Sequence, residues 1–455
     1  MPYNANMEAV ITPPSLPFTR KLGYAIGNPA CNICYQVVNL FLLYFYTDVF
    51  GITGAVAGII FLVARIIDAA VDPMVGYIAD QTNTRWGKFR PYVLFGAPIL
   101  CLFFALTFIT PDLSPSLQVA YAFATYISFG ILYSIVNIPF NSLAAAITQN
   151  TNERNSLAAI GLVLTQVAVV AVAIITRPAV KLFSSEAAGF GIMVSIYAAI
   201  ALSMFMVSFS MTKEAISPTG TGRYNLQSAL HLVTRNKYLL LLAGAYLASG
   251  IAGTVRSFSA IYFFKYNAGD ENLFGPFMLV QVLGALPASA LTPMIAAKLQ
   301  NKRNLFIIGI LIFIFGDFGV LLMSYSNPAL FFLFNFIIGI GGGITMVLTW
   351  SMLPDTIEYG EWKTGIRGAG ITYSAFSFVA KVAAAVGGGL AGAILTWAGY
   401  TPNVAQPDFV KDTILHMLAL FPLIAGIIGL ILLSFYRIDN RFFARMVREI
   451  AERRG

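Results

Sequence analysis

The sequence predicts an all-α membrane protein with twelve transmembrane helices, and three observations carry this prediction. Of its 455 residues, 58% are hydrophobic and only 11% are charged, with a mean hydropathy of +0.76. Soluble globular chains carry about 25% charged residues. Apolar segments of about 20 residues, the length that crosses a bilayer, recur about twelve times. The basic residues collect in the connections on one side of these segments. A bilayer is therefore the expected surrounding of this chain.

The predicted spans form two groups of six around a polar stretch. Residues 1–211 make the N-terminal six-helix half, and 238–436 make the C-terminal half. The stretch 212–237 contains few apolar residues, which predicts a cytoplasmic linker. The tail 437–455 is basic and predicts an amphipathic helix on the inner leaflet. The predicted spans are 23–48, 54–79, 91–110, 117–147, 156–180, 189–211, 238–264, 273–297, 304–325, 328–352, 369–398 and 413–436.

The distribution of lysine and arginine predicts the orientation of the chain. In this assignment 21 of the 28 basic residues lie on one side of the membrane. The other side holds Arg177, Lys181, Lys265 and Lys411. By the positive-inside rule, both termini lie in the cytoplasm. The net charge of +8 then reflects topology and contact with anionic lipid headgroups, not nucleic acid. Twelve spans in two halves are typical of the major facilitator fold, whose halves rock about a midplane site.

Two carboxylates, Asp68 and Asp72, lie inside the second predicted span. A charge at mid-bilayer costs at least ~2.5–3.5 kcal/mol, so such residues persist where they pair or function. At about 100° per residue the two lie about 40° apart on one helical face, and Arg65 falls in the same sector. Their repulsion is relieved by a proton, a cation or a shared arginine. The pattern predicts a cation or proton site. The alternative is a structural Arg–Asp bridge plus an aspartate near the cytoplasmic end.

Three further charges lie inside predicted spans of the second half. Lys381, in the eleventh span, needs an anion, and Asp68 or Asp72 is the expected partner across the central cavity. The alternative is a lysine that reaches an interface by snorkelling. Arg256 and Asp317 each fit either a structural ion pair or a span end, and neither is assigned to substrate.

Polar side chains follow helical spacing in the first and fourth spans. Because amides both donate and accept hydrogen bonds and aromatic faces stack on sugar rings, these stripes suit a sugar. Hydrogen bonds between helices explain them almost as well. The candidate sugar-binding residues, together with Lys381, are Asn32, Tyr35, Tyr133, Asn137 and Asn141, and Ser134 lies beside them.

Six segments, taken together, resemble the glycoside–pentoside–hexuronide:cation symporters nearly from end to end. Each segment alone would be a weak signal, but their combination is specific. The resemblance implies cation-coupled uptake of a glycoside across a bacterial inner membrane. The segments are Tyr46–Val49, Ala64–Pro73, Arg85–Pro91, Asn137–Phe140, Pro354–Gly365 and Gly399–Asn403.

The same resemblance implies roles for individual residues. Asp68 and Asp72 match the carboxylates that bind the coupling cation, Ser134 matches a hydroxyl at that site, and Lys381 matches a lysine near both sites. An asparagine of that cation site is Val71 here, which offers no oxygen and favours a proton over sodium.

The sugar site also departs from the family pattern. Two of its carboxylates become Asn32 and Asn137, its stacking aromatic aligns with Asn141, and an arginine aligns near Leu162. The departures favour a uronide, another charged glycoside or a plant-derived oligosaccharide.

Two charged clusters on the predicted cytoplasmic side carry opposite signs. Since opposite charges attract across the gap between the halves, we expect these clusters to latch the inward gate when the protein faces outward. The basic cluster is Arg85, Lys88 and Arg90, and the acidic cluster is Asp355, Glu358 and Glu361.

The sequence also bears on function classes other than symport. A nucleophile–base constellation and a metal-ligand cluster are both missing from the sequence, so neither an enzyme nor a metal or other cofactor is expected. A lipid or lysolipid transporter on the same fold, or a sugar sensor that does not transport, stays open. The expected partners are a small sugar, a coupling proton or sodium ion and the bilayer, with the protein a monomer.

Overall fold

The computed structural model describes residues 16–148, 151–214, 233–299, 301–323, 325–365 and 369–454. Within these residues the regular secondary structure is helical, and one isolated bridge joins Thr84 to Gly87. The first group of helices is α1 (Phe18–Tyr44), α2 (Gly54–Gln81), α3 (Ala97–Leu106), α4 (Pro115–Ile147), α5 (Thr151–Val180) and α6 (Glu186–Met211). The second group is α7 (Lys237–Tyr262), α8 (Phe274–Leu299), α9 (Lys302–Met323), α10 (Pro328–Thr364), α11 (Ala369–Trp397) and α12 (Asp408–Leu415, continuing through Phe421–Ser434). A last helix, α13, spans Asn440–Arg454.

Among the described residues, eleven helices are long and apolar enough to cross a membrane. The remaining predicted span is the shorter apolar segment Tyr92–Leu106, which contains α3. The all-α membrane fold predicted from the sequence is therefore confirmed, and eleven of the twelve predicted spans are helices long enough to cross a membrane. The predicted linker, 212–237, lies mostly outside the described residues.

Helix α10 is longer than the sequence predicted. Its predicted end was 352, but the helix continues through Pro354 to Thr364 and ends at Gly365, whose φ of 76° suits a left-handed glycine cap. The acidic cluster therefore lies on the last turns of a helix and not in a connection.

Four helices contain single π turns, and two of these turns occupy corresponding places. Helix α1 ends in the π turn Phe45–Val49, and α7, the first helix of the second group, ends in Phe263–Asn267. Such turns often occur at functional sites because the extra residue re-aims the side chains around it. Here they carry Asp48 and Lys265. We call the end of the bundle at which α1 and α7 end the Asp48 face, and the end at which they begin the linker face.

Helices of the two groups pack against each other in three pairs: α1 with α7, α2 with α11, and α5 with α8. The α2–α11 contact depends on glycine. A Cβ added to Gly54 or Gly58 would lie 2.8 Å from the carbonyl oxygen of Gly392 or Gly389. Side chains at these positions would force the helices apart, so glycine permits the close approach.

Helix α13 packs against the end of α10. Met446 and Ile450 are buried, and the indole nitrogen of Trp362 donates to the Glu449 carboxylate at 2.6 Å. The basic tail therefore forms the predicted helix, with one side held against the bundle.

Candidate functional site

The intramembrane carboxylates of α2 each contact one basic residue. The Lys381 ammonium of α11 forms an ion pair with Asp72, and Arg65 donates to Asp68 at 3.2 Å. The first pair joins the two groups of helices, while the second stays within α2. The structure thus brings Asp68, Asp72, Arg65 and Lys381 together in one layer, as expected from their spacing and charge.

Asp68 lies against α4, where a glycine makes room for it. The side chain of Asp68 is 8% exposed, and a Cβ at Gly130 would lie 2.6 Å from its Oδ1. Ser134 follows Gly130 by one helical turn, so it shares the face of α4 that Asp68 contacts. It is buried.

Tyrosines surround the Arg65 guanidinium. Its carbon lies 5.6 Å from the ring centre of Tyr35, and Tyr126 and Tyr133 lie within electrostatic range. Tyr35 and Tyr133 contact each other with ring centres 5.7 Å apart. Two of the predicted sugar-binding aromatics therefore lie next to the carboxylate layer.

The predicted amides lie on α1 and α4, and their described hydrogen bonds stay within those helices. Asn32 donates to the Asn28 carbonyl at 2.9 Å, and Asn141 donates to the side chain of Asn137 at 3.2 Å. The structure places Asn137 and Asn141 on one face of α4, as their spacing predicts, with Asn141 exposed.

Asp72 has spare capacity to bind a ligand. Its Oδ2 pairs with Lys381, whereas its Oδ1 is buried and lacks a hydrogen-bond partner. An ionised carboxylate offers about four acceptor positions. A proton or a small cation would satisfy the open oxygen. Asp72 can therefore exchange the Lys381 ammonium for a proton or a cation.

The two charged clusters at the linker face have partners within their own groups. Glu214, after α6, accepts from the backbone amides of Lys88, Phe89 and Arg90 at 2.7–2.9 Å. Asp355 pairs with Lys302 of α9 at 2.8 Å.

The other members of these clusters occupy different surroundings. Arg85 is exposed over the ring of Trp86, Glu358 is half-buried and Glu361 is buried. The expected latch between the two clusters belongs to the outward-facing conformation and stays a prediction.

A larger polar network, which the sequence did not predict, joins the two groups of helices at the Asp48 face. The Asp48 carboxylate accepts from Lys265 at 2.9 Å, from Tyr266 at 2.6 Å and from Tyr400 at 2.7 Å. The Thr47 hydroxyl donates to it at 2.7 Å. Tyr400 lies outside the spans, and burial together with the charge of Asp48 raises its pKa, so its hydroxyl stays protonated and donates.

The network extends to a second cluster between the groups. Lys265 also donates to the hydroxyl of Tyr44 at 2.7 Å, and Tyr44 donates to Glu186 at 2.9 Å. Arg177, 1% exposed, pairs with both Glu186 and Glu271, the latter just before α8. Helices α1, α5 and α6 are thereby tied to α7 and to the entry of α8.

One signal in the sequence could have found this network. The positive-inside rule leaves few basic residues on the Asp48 face, and three of those four, Arg177, Lys181 and Lys265, lie within 4 Å of a carboxylate here. Basic residues that persist on the depleted side have a reason to be there, and pairing is the simplest.

A second buried ion pair lies inside the second group. Arg256 of α7 donates to Asp317 of α9 at 2.5 Å and to Asn335 of α10 at 2.9 Å. Asp317 and Asn335 are fully buried. The sequence left Arg256 and Asp317 between an ion pair and a span end, and the structure pairs them with each other.

Comparison with known proteins decides the family. The model of the MFS/sugar transport protein family matches residues 23–440. The chain belongs to this family. The predicted resemblance is thereby confirmed, and the chain is a multi-pass membrane transporter and not an enzyme, as the sequence predicted.

Two curated relatives and one solved structure illustrate the match. The glucuronide carrier protein homolog of Escherichia coli is 35% identical, over 95% of each chain. The isoprimeverose transporter of Lactiplantibacillus pentosus is 34% identical, over 95% of this chain and 91% of that one. A D-xylose–proton symporter structure shares the fold with a TM-score of 0.64 at 15% identity, covering 93% of this chain and 97% of that one.

Proposed function

We propose that this protein imports a sugar glycoside together with a proton or a sodium ion, by alternating access across a bacterial inner membrane. The observation that carries the proposal is the ion pair between Asp72 and Lys381, which joins the two groups of helices at the level of a second carboxylate, Asp68. The relatives named for a glucuronide and for isoprimeverose support a sugar glycoside as substrate.

In this mechanism Lys381 and the coupling ion compete for Asp72. A buried carboxylate without a counter-charge costs about 3–5 kcal/mol, so either the lysine or the ion neutralises it. When a proton or cation binds to Asp72, the Lys381 ammonium is released. It is then available to an anionic or hydroxyl-bearing sugar, which gives coupling between ion and sugar through one side chain.

The sugar site of the proposal lies beside this layer. Tyr35 and Tyr133 offer ring faces, while Asn32, Asn137 and Asn141 offer amides on the same two helices. Asn137 and Asn141 replace acidic and aromatic positions of the family pattern, and the positive charges of Arg65 and Lys381 lie close by. This combination favours a uronide or another anionic glycoside over a neutral one.

The proposed conformational change opens one face while it closes the other. The Asp48 network and the glycine contact of α2 with α11 close the Asp48 face here, and the charge bias of the sequence assigns that face to the outside. The present conformation is thus proposed to face inward, and the clusters at the linker face are proposed to meet in the outward-facing state.

Uptake into proteoliposomes tests the proposal. A panel of labelled glucuronides, xylosides and neutral disaccharides is offered with imposed pH or sodium gradients, using wild type, Asp68→Asn, Asp72→Asn and the exposed loop variant Asp112→Asn as matched control. We expect accumulation of one class under one gradient in wild type and control. The two α2 variants keep counterflow and lose accumulation.

Three outcomes contradict the proposal. Accumulation that ignores both gradients and both α2 substitutions removes cation coupling. Absence of counterflow for every sugar in the panel points to a sensor that binds without transporting, and accumulation of a labelled lysolipid in the same vesicles points to the lipid alternative.

A further inference from the structure

A cavity of about 250 Å³ lies inside the second group of helices, between α7, α9, α10 and α12. Its lining is mainly apolar, and its hydroxyl groups add few free donors, because Ser249, Thr345 and Thr349 donate their hydrogens to backbone carbonyls at 2.6–3.0 Å. Apolar cavities stay dry, and one of about 150 Å³ already holds a benzene ring. This cavity therefore suits an apolar ligand of one ring or two fused rings.

Three sides of the cavity are closed by tight packing between helices. Helix α9 packs against α10 and α12, and α12 packs against α7. A Cβ added to Gly426 of α12 would lie 2.7 Å from the side chain of Ile314, and one added to Gly309 of α9 would lie 2.8 Å from that of Ile344. Because these helices approach so closely, their contacts close the cavity toward the lipid.

The fourth side, between α7 and α10, is the open one. The lining residues of α9 and α12 are buried or half-buried, whereas Ser249 and Gly253 of α7 and Met346 of α10 are exposed. Tyr246, which lines the cavity on the same side, lies within electrostatic range of Tyr35 of α1. The cavity thus opens toward the first group of helices, where Tyr35 belongs to the proposed sugar site.

The opening lies at the height of Lys381. A Cβ added to Gly250 of α7 would lie 2.8 Å from the Cβ of Ala383 of α11, and Ala383 follows Lys381 by two residues, a rise of about 3 Å. The ring of Tyr246 packs on Phe376 of α11 with ring centres 4.6 Å apart, which agrees with this register of the two helices. A sugar bound beside Lys381 therefore has the opening next to it.

We propose that this cavity is the aglycone subsite of the transporter and takes an aromatic or other cyclic apolar aglycone. The rings of Phe306 and Phe313 and the thioether of Met346 offer it aromatic and polarisable contacts. The sugar stays on α1 and α4 beside Lys381, so one glycoside contacts both groups of helices. The inference rests on the proposed function and narrows its substrate class to glycosides with an apolar aglycone.

Matched glycosides measure what the aglycone contributes. Methyl, phenyl and 2-naphthyl β-D-glucuronides, and the same three xylosides, compete with the labelled sugar that wild type exchanges in counterflow. Within that sugar series we expect the phenyl glycoside to halve counterflow at a concentration about tenfold or more below that of the methyl glycoside, because its extra apolar carbons leave water. Equal potency of the methyl and phenyl glycosides would contradict the subsite.

A cavity-filling variant separates this subsite from ring stacking elsewhere. A Cβ at Gly253 meets no atom within 4 Å, so Gly253→Leu fills the cavity without a clash at its first carbon. We expect the phenyl glycoside to lose about tenfold or more in potency, while the methyl glycoside stays within about twofold of its wild-type value. Gly342→Leu is the matched control and should keep the phenyl preference, since Gly342 has equal space and does not line the cavity.

A free aglycone tests the subsite in the unchanged protein. In equilibrium binding to purified wild type, 2-naphthol should raise the dissociation constant of the phenyl glycoside and leave that of the methyl glycoside unchanged, because only the phenyl group needs the cavity. Equal inhibition of both glycosides would place 2-naphthol in the sugar site and contradict the inference.

The outcomes that overturn the inference differ from those that overturn the proposed function. A phenyl preference that survives in Gly253→Leu removes the aglycone subsite and leaves sugar import standing. The same holds if that variant loses binding of a labelled lysolipid and keeps every glycoside affinity, since the cavity is then a lipid site. Absence of counterflow for every sugar overturns import itself, and the subsite with it.

Discussion

Asp48 and Asp72 are both carboxylates that join the two groups of helices, yet their surroundings are opposite. The side chain of Asp48 is fully buried and accepts from four side chains, which fill both of its oxygens. The side chain of Asp72 is 19% exposed, has one basic partner and leaves Oδ1 open. A filled carboxylate holds helices together, whereas a carboxylate with an open oxygen can exchange ligands. The difference indicates that the number of hydrogen-bond donors around a carboxylate, and not its charge alone, decides whether it holds helices together or binds an ion.

Removing the Asp48 carboxylate should have the largest effect, because it removes the acceptor that holds the Asp48 face together. Asp48→Ala leaves Lys265, whose side chain is 14% exposed, without its counter-charge, which costs up to about 3–5 kcal/mol at the Asp48 face. We expect the fraction of molecules in which that face is open to rise roughly 100-fold or more. The reporter is Ser259→Cys, a fully buried position on α7, in a background with the three native cysteines replaced. Labelling by an impermeant maleimide should rise accordingly, and Asp112→Ala should leave it unchanged.

Removing one donor should have a smaller effect on the same face. Tyr400 bridges both oxygens of Asp48 at 2.7 Å. A hydrogen bond to a charged group contributes about 1.5–3 kcal/mol, so Tyr400→Phe should raise labelling of the same cysteine at least tenfold. Labelling at the wild-type rate would show that the network does not hold the face closed.

Removing the lysine that pairs with Asp72 should strengthen ion binding. If Lys381 competes with the coupling ion, Lys381→Gln lowers the ion concentration that half-saturates sugar binding by about tenfold, equivalent to about 1.4 kcal/mol. Lys363→Gln, an exposed lysine of α10, is the matched control. Weaker ion binding in Lys381→Gln would mean that the lysine helps the site and does not compete with the ion.

A contact far from both carboxylates should change transport least. Glu449→Gln weakens the bond between α13 and Trp362 but keeps the helix in place, because Met446 and Ile450 remain buried. We expect uptake within about twofold of wild type. A loss of tenfold or more would place α13 within the moving parts of the transporter.

The sequence predicts the Asp72 region better than the Asp48 region for a physical reason. Placing carboxylates and a lysine in the middle of apolar spans costs free energy, so each of these residues stands out in the sequence. The sign of each charge then predicts which residue it pairs with. The α2 register then places Asp68 and Asp72 on one face without further information. The ion pair with Lys381 follows from charge balance across the cavity.

Asp48 and its partners lie at span ends, where polar residues are ordinary. Lys265 and Tyr400 are 217 and 352 residues away along the chain, so proximity appears only once both groups are packed. The π turns that aim Asp48 and Lys265 leave no pattern in the sequence, and the continuation of α10 through Pro354 opposes the usual preference of proline for helix ends.

Equilibrium sugar binding at varied ion concentration is the most direct measurement of the difference between the two carboxylates. We predict that wild type binds its glycoside more tightly as the coupling ion increases, because linkage is reciprocal. Asp72→Asn should bind sugar with an affinity that ignores the ion, whereas Tyr400→Phe should keep the full dependence. If sugar affinity still depends on the ion in Asp72→Asn but no longer does so in Tyr400→Phe, then Asp72 is not the ion site and Asp48 does more than hold the helices together.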